Sequence, residues 1–143
     1  NTFDIPERLI KKTDGSYALS GYSLNSGGEI ESSWIINSDI SGNELSTIII
    51  SGDNYVYDLI ENSNGDYIIA GKKFNDNDYQ GWIACIDIQG NIVWEKTYGE
   101  GDNALFRSIK QTSDGGFIIT GEAQTDGISS ILHAKTDPDG NIY

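Results

Sequence analysis

Methionine is absent from this chain of 143 residues, and cysteine, histidine and arginine are nearly so, with one, one and two copies. Without methionine the first residue is not a translation start, so either a leader has been removed or the chain is an excerpt. A lone Cys85 excludes an internal disulfide framework. Its place in the apolar run "GWIACIDI" predicts a small buried hydrophobe and leaves the redox compartment open. The single imidazole, His133, has to serve as the base of any Ser-His-Asp arrangement, and no Gly-x-Ser-x-Gly elbow accompanies it. No run reaches the roughly 18 apolar residues of a membrane span, and the first residues do not form a charged-then-apolar signal.

Positive charge is scarce as well. Nine basic residues against 22 acidic ones give a net charge of −13, which repels phosphate backbones, so nucleic acid is excluded as an expected partner. The acidic residues are scattered singly, as on a solubilising surface. With 37% hydrophobic residues the chain has enough apolar material for one folded domain.

What the chain does contain is repetition. "KTDGSYALSG", "NSNGDYIIAG" and "TSDGGFIITG" begin at residues 12, 62 and 112. Comparing residues 57–93 with 107–143 without gaps gives 11 identities in 37 positions, well above chance for a chain of this composition. The first copy drifts to an offset of 48 in its later part, as a loop-length difference produces. Gly21, Gly71 and Gly121 align, as do the turns "SDISGN", "IDIQGN" and "TDPDGN".

The recurring phrases are short, rich in β-branched and aromatic residues, and bounded by Gly, Asp and Asn. They read as strands joined by tight turns, with no helical period anywhere. Each Asp-x-x-Gly-Asn is a hairpin turn in which Gly supplies a positive φ and Asp bonds the backbone downstream. The expected fold is all-β: a β-propeller of four-stranded antiparallel blades, about 50 residues per blade, with slightly under three blades present. The expected division is an outer strand at 1–13, blade units at 14–63 and 64–113, and a partial unit at 114–143. Consecutive apolar residues in "YIIAG", "WIACI" and "FIITG" fit strands covered on both faces, and Ala70–Gly71, Ser20–Gly21 and Thr120–Gly121 fit the crowded strand nearest the axis. A parallel β-helix fits less well because its coils are shorter, about 20 to 30 residues.

Asp114, Gly115, Gly116, Phe117 and Gly121 in the last unit, and Trp82, Asp87, Gly90, Asn91, Trp94, Lys96, Thr97, Tyr98 and Gly99 in the middle one, form a recurring pattern. In these residues the chain resembles the propeller repeats of secreted and surface-attached bacterial and archaeal proteins. The resemblance covers nearly the whole chain, departing where Ser46 replaces the second Trp of the first unit and Leu132 the first Trp of the last. The resemblance implies an extracellular or cell-surface module, often part of a longer adhesive protein, and supplies no shared active site. Propellers close with typically about 4 to 8 blades, so a longer chain or the association of copies is expected, two copies giving about six blades.

Candidate chemistry is sparse. The turn "DIQGNIVW" differs from the aspartate box of sialidases, which has one residue between Asp and Gly where Asp87 and Gly90 have two. Arg8 and Arg107 are also too few for a sialidase's three arginines. A carboxylate pair for glycoside hydrolysis can always be found among 22 acids and discriminates nothing. In the loop "NDNDYQG", Asp76 and Asp78 are the candidate ligands for Ca²⁺, without EF-hand spacing. Trp34, Trp82 and Trp94 occupy repeat positions and are expected to pack between blades. Tyr22, Phe74 and Tyr79 sit near the variable loops and are the candidate ligand-binding residues.

The function expected from this is a non-catalytic binding, adhesion or assembly module with a glycan or protein ligand, no membrane insertion and no required cofactor. The alternatives are a self-assembling subunit whose copies complete a ring or polymer, and a fragment of a glycoside-active propeller enzyme.

Overall fold

The computed structural model describes residues 2–75, 77–99 and 103–143, and within them the chain is all β. Sheet one contains β1 (Phe3–Lys11), β2 (Tyr17–Leu24), β3 (Ile30–Ser38) and β4 (Glu44–Ser51). Sheet two contains β5 (Asn54–Glu61), β6 (Tyr67–Asn75), β7 (Asp78–Ile86) and β8 (Ile92–Tyr98). Sheet three contains β9 (Asn103–Gln111), β10 (Phe117–Thr125) and β11 (Ile128–Thr136). Each is an antiparallel meander whose strands lie side by side in chain order. Beyond β11, a single bridge from Thr136 to Ile142 begins a further pairing. No helix occurs among the described residues, and none is therefore long and apolar enough to cross a membrane.

The turns are built by their side chains. In each Asp-x-x-Gly-Asn segment one carboxylate oxygen accepts the backbone N–H groups two and four residues on. For Asp87 these are Gln89 at 2.9 Å and Asn91 at 2.8 Å, while its other oxygen accepts Asn91 Nδ2 at 2.9 Å. Asp39 and Asp137 repeat the same bonds. Gly90 takes a φ of +92°, a conformation a side chain at this position would oppose. The Asn side chain, followed by the backbone donors, holds all three carboxyls below the usual aspartate value.

The sheets stack face to face. β5 lies against β1, β2 and β3, and β9 lies against β5, β6 and β7. Between sheets one and two, Ala18, Ile35, Ile48 and Ile50 meet Leu59, Tyr67, Ile69 and Trp82; between sheets two and three, Ile68, Ala70 and Ile83 meet Phe106, Ile109, Phe117 and Ile119. Sheet two is thus covered on both sides, which is why consecutive residues of β6 and β7 are apolar and buried. Among the described residues no sheet lies against the far faces of sheets one and three, which leaves Leu9, Ile49 and Ile131 exposed.

Strand grouping differs from the reading by repeat phrase. The strand placed last in each fifty-residue unit is instead the first strand of the following sheet. The phrases with Gly21, Gly71 and Gly121 are therefore second strands, and the sheet boundaries fall after Ser51 and Tyr98. The crossing from β4 to β5 takes two residues, as short as a hairpin loop. Buried Asn54 makes it a crossing instead: its Nδ2 donates to Ser51 O at 3.0 Å, and its own carbonyl accepts Ser33 Oγ at 2.9 Å.

The first strands share a defect and a junction. The ladder skips Glu7 in β1, Tyr57 in β5 and Arg107 in β9, a β-bulge at the same place in each sheet. Opposite each bulge stands Gly21, Gly71 or Gly121, where an added Cβ would collide with the carbonyl oxygen of Ile5, Tyr55 or Leu105. One residue after the second bulge, Asp58 is 4% exposed and joins all three sheets. Arg8 Nε lies 3.0 Å from its Oδ1 in an ion pair, while Ser108 Oγ and Ile109 N donate to its Oδ2 at 3.0 and 2.9 Å.

Candidate functional site

The bulges also shape a surface. Ordinary pleating would send residue 57 to one face of its sheet; the extra residue turns it into the seam between neighbouring first strands. There Tyr57 stacks against Tyr55 at 6.2 Å and meets the edge of Tyr22 from sheet one at 6.2 Å. Tyr22 in turn lies 4.9 Å from Tyr55. The cluster continues through Tyr79, 5.8 Å from Tyr55, to Phe74, 5.2 Å from Tyr79 and 42% exposed. These separations, with steep interplanar angles at four of the five contacts, suit ring edges against ring faces.

Two cations are set among the rings. Lys72 Nζ lies 4.3 Å from the centre of Tyr55 and 4.0 Å from that of Tyr79, and Arg107 reaches across from sheet three to 4.9 Å from Tyr57. Arg107 is also paired with Glu122 at 3.0 Å. Tyr79 donates its hydroxyl to Asp53 Oδ1 at 2.9 Å, and Glu7 stands beside Tyr22. Burial is the main cause that raises the phenol pKa values of Tyr22, Tyr57 and Tyr79, and it pulls that of Lys72 down. The phenols therefore stay protonated at neutral pH and keep their O–H donors.

The sequence-derived candidates Tyr22, Phe74 and Tyr79 thus fall in one cluster although they come from three strands in two sheets. Tyr55, Tyr57, Lys72 and Arg107 were missed. The signal for them lay in the period: residues 7, 57 and 107 are equivalent, as are 22, 72 and 122, but the residue types differ within each set, so a comparison by identity passes over them.

Of the calcium candidates, Asp76 lies outside the described residues. Asp78 begins β7, with Gln80 Nε2 donating to it at 3.5 Å. Among the described residues no three His, Cys, Asp or Glu side chains gather as metal ligands. His133 is exposed on β11 opposite Thr120. Trp34 and Trp82 are buried and satisfied, donating Nε1 to Ser23 Oγ at 3.1 Å and Glu95 Oε2 at 2.8 Å. Trp94 is only half buried, unlike the other two.

No protein-family model and no curated protein matches the chain.

Proposed function

We propose that the three sheets are consecutive blades of a β-propeller, and that the chain is a non-catalytic binding module of an exported or cell-surface protein. Three meanders stacked in chain order, each entered through a bulged first strand, support the blade reading. The observation that carries the binding reading is the aromatic cluster. Five rings from two sheets, with a lysine and an arginine against their faces, collect at the bulged seam, outside the two hydrophobic cores. Half-exposed phenols combine flat apolar area with a hydrogen-bonding tip, which suits a glycan or a protein segment.

The test is a glycan array and a displayed-peptide library, followed by titration of the hits. Tyr22→Ala, Phe74→Ala and Tyr79→Ala should keep the β-sheet circular dichroism spectrum and weaken binding about tenfold, which is about 1.4 kcal/mol. Unchanged affinity in all three removes the site.

A second reading, self-assembly, has its own support in the uncovered sheet faces. The outer face of sheet one is the repeat equivalent of the face that sheet two turns toward sheet one, and the outer face of sheet three is the equivalent of the face that sheet two turns toward sheet three. By that equivalence the two faces would meet head to tail, a contact that closes a ring when the rotation permits, with Thr120, His133 and Lys135 standing where sheet two has Ala70, Ile83 and Cys85. Light scattering should then give multiples of 15.6 kDa, rising with concentration; a concentration-independent monomer rejects it.

A further inference from the structure

At the end of the strands opposite the aromatic cluster, a cleft of about 350 Å³ opens between sheets two and three. That volume lies within the size range of small-molecule sites. Its floor is Ile68, Cys85 and Phe117, its wall is Trp94, and Asn62 and Asp66 stand on its rim. We propose that this cleft binds the ring of an uncharged hexopyranose.

The repeat supplies an internal control. In the groove between sheets one and two, Tyr67 holds the place of Phe117 and Asn37 the place of Cys85, and the Tyr67 hydroxyl bonds Asn37 Oδ1 across the gap. Glu61 adds a second bridge, accepting the Thr13 N–H at 2.7 Å and the Thr13 hydroxyl at 2.6 Å. The equivalents in the second groove make neither link. Phe117 has no hydroxyl, Cys85 no amide, and Gln111, in the place of Glu61, donates to its own turn at Gly115 O, 3.2 Å away. Ser46 of the first groove has become Trp94. The first groove is bridged by these hydrogen bonds where Tyr67 meets Asn37; at the same place its copy lacks them and has gained an indole.

That indole is held in place. Trp94 lies 6.2 Å from Phe117 at 44°, and its far edge packs on Gly140, where an added Cβ would come within 2.8 Å of the ring. The Nε1 groups of Trp34 and Trp82 have acceptors, but no hydrogen bond among the described residues uses that of Trp94. Around it the rim offers an amide donor from Asn62 and acceptors from Asp66. Among the described residues the Asp66 carboxylate accepts a single, long bond, 3.5 Å from Asn62 Nδ2. A rigid apolar plane beside unsaturated donors and acceptors matches a sugar ring, whose C–H face stacks while its hydroxyls both donate and accept. Asp66 and Asp139 line the cleft with no cation among its lining residues, so sugars bearing a carboxylate are repelled.

The experiment is a ¹H–¹⁵N NMR titration of the full chain with the methyl glycosides of glucose, galactose, mannose, N-acetylglucosamine and glucuronic acid. The expected result is a saturable shift of the Trp94 indole N–H with at least one neutral sugar, at a Kd of about 1 mM, and at least tenfold weaker binding of the glucuronide. Trp94→Phe and the rim substitution Asp66→Asn should each weaken that sugar about tenfold, and Cys85→Asn with Phe117→Tyr, which rebuilds the bridge of the first groove, should abolish the shift. The aromatic cluster at the other end contains no tryptophan, so a shift at Trp94 reports this cleft alone. No saturable Trp94 shift with any neutral sugar overturns the proposal, as does equal binding of the glucuronide or an Asp66→Asn variant that binds unchanged.

Discussion

Replacing Gly71 with alanine is expected to cost at least about 4 kcal/mol, enough to remove a large share of the about 5–15 kcal/mol by which a domain is ordinarily stable. The added Cβ runs into the carbonyl oxygen of Tyr55, and behind it stand Tyr55 C at 2.8 Å and Val56 Cα at 3.2 Å. All are backbone atoms of the paired strand, so no side chain can rotate away, and relief requires β5 and β6 to separate at the bulge. β5 and β6 both contribute to both cores, so the damage spreads to the neighbouring sheets. Urea unfolding followed by circular dichroism measures the loss. Gly27→Ala is the comparison: its Cβ meets only the Asn25 Oδ1 side-chain atom at 3.2 Å in an exposed loop, and the expected change is below about 1 kcal/mol. Equal effects in the two variants would refute the account of the bulge.

The second large effect is expected at Asp58. Removing its carboxylate in Asp58→Ala leaves the Ile109 N–H and the Ser108 hydroxyl without their acceptor and Arg8 without its counter-ion, in one substitution that touches all three sheets. The expected cost is about 3 kcal/mol, at the lower end for breaking a buried charge pair, because the Arg8 side chain is 42% exposed and water partly compensates it. Arg8→Ala alone should cost about 2 kcal/mol, because it leaves the buried Asp58 carboxylate to its hydrogen-bond donors alone. In the double variant the effects should sum to less than the two singles, since the ion pair can be lost only once. Full additivity in denaturant melts would show that the pair contributes nothing and leave the hydrogen bonds from Leu59, Ser108 and Ile109 as the whole effect.

Much of this architecture was legible because the repeat is written in residues with strict local duties. Asp87, Gly90 and Asn91 specify a turn wherever they occur, and "YIIAG" specifies a strand covered on both faces. The grouping of strands was not legible, because a period of fifty has no origin and can be cut at any loop. The two-residue link after Ser51 has the length of a hairpin, and only the seating of Asn54 reveals a crossing. Tyr22, Phe74 and Tyr79 were reachable as aromatics without an evident packing duty. Tyr57 and Arg107 were not, because their placement depends on a bulge that leaves no mark in residue type. The open cleft was hidden for a related reason: it arises from what Phe117 and Cys85 fail to do, which becomes visible only beside Tyr67 and Asn37.

The bulge at Glu7, Tyr57 and Arg107 separates two duties that most strands combine. These three residues stand outside the ladder, while the glycines facing them bear the steric constraint. An acid, a phenol and a guanidinium occupy that one address in three sheets that share the same framework around it. What each sheet presents there can therefore be changed by a single substitution that leaves the ladder and its facing glycine untouched.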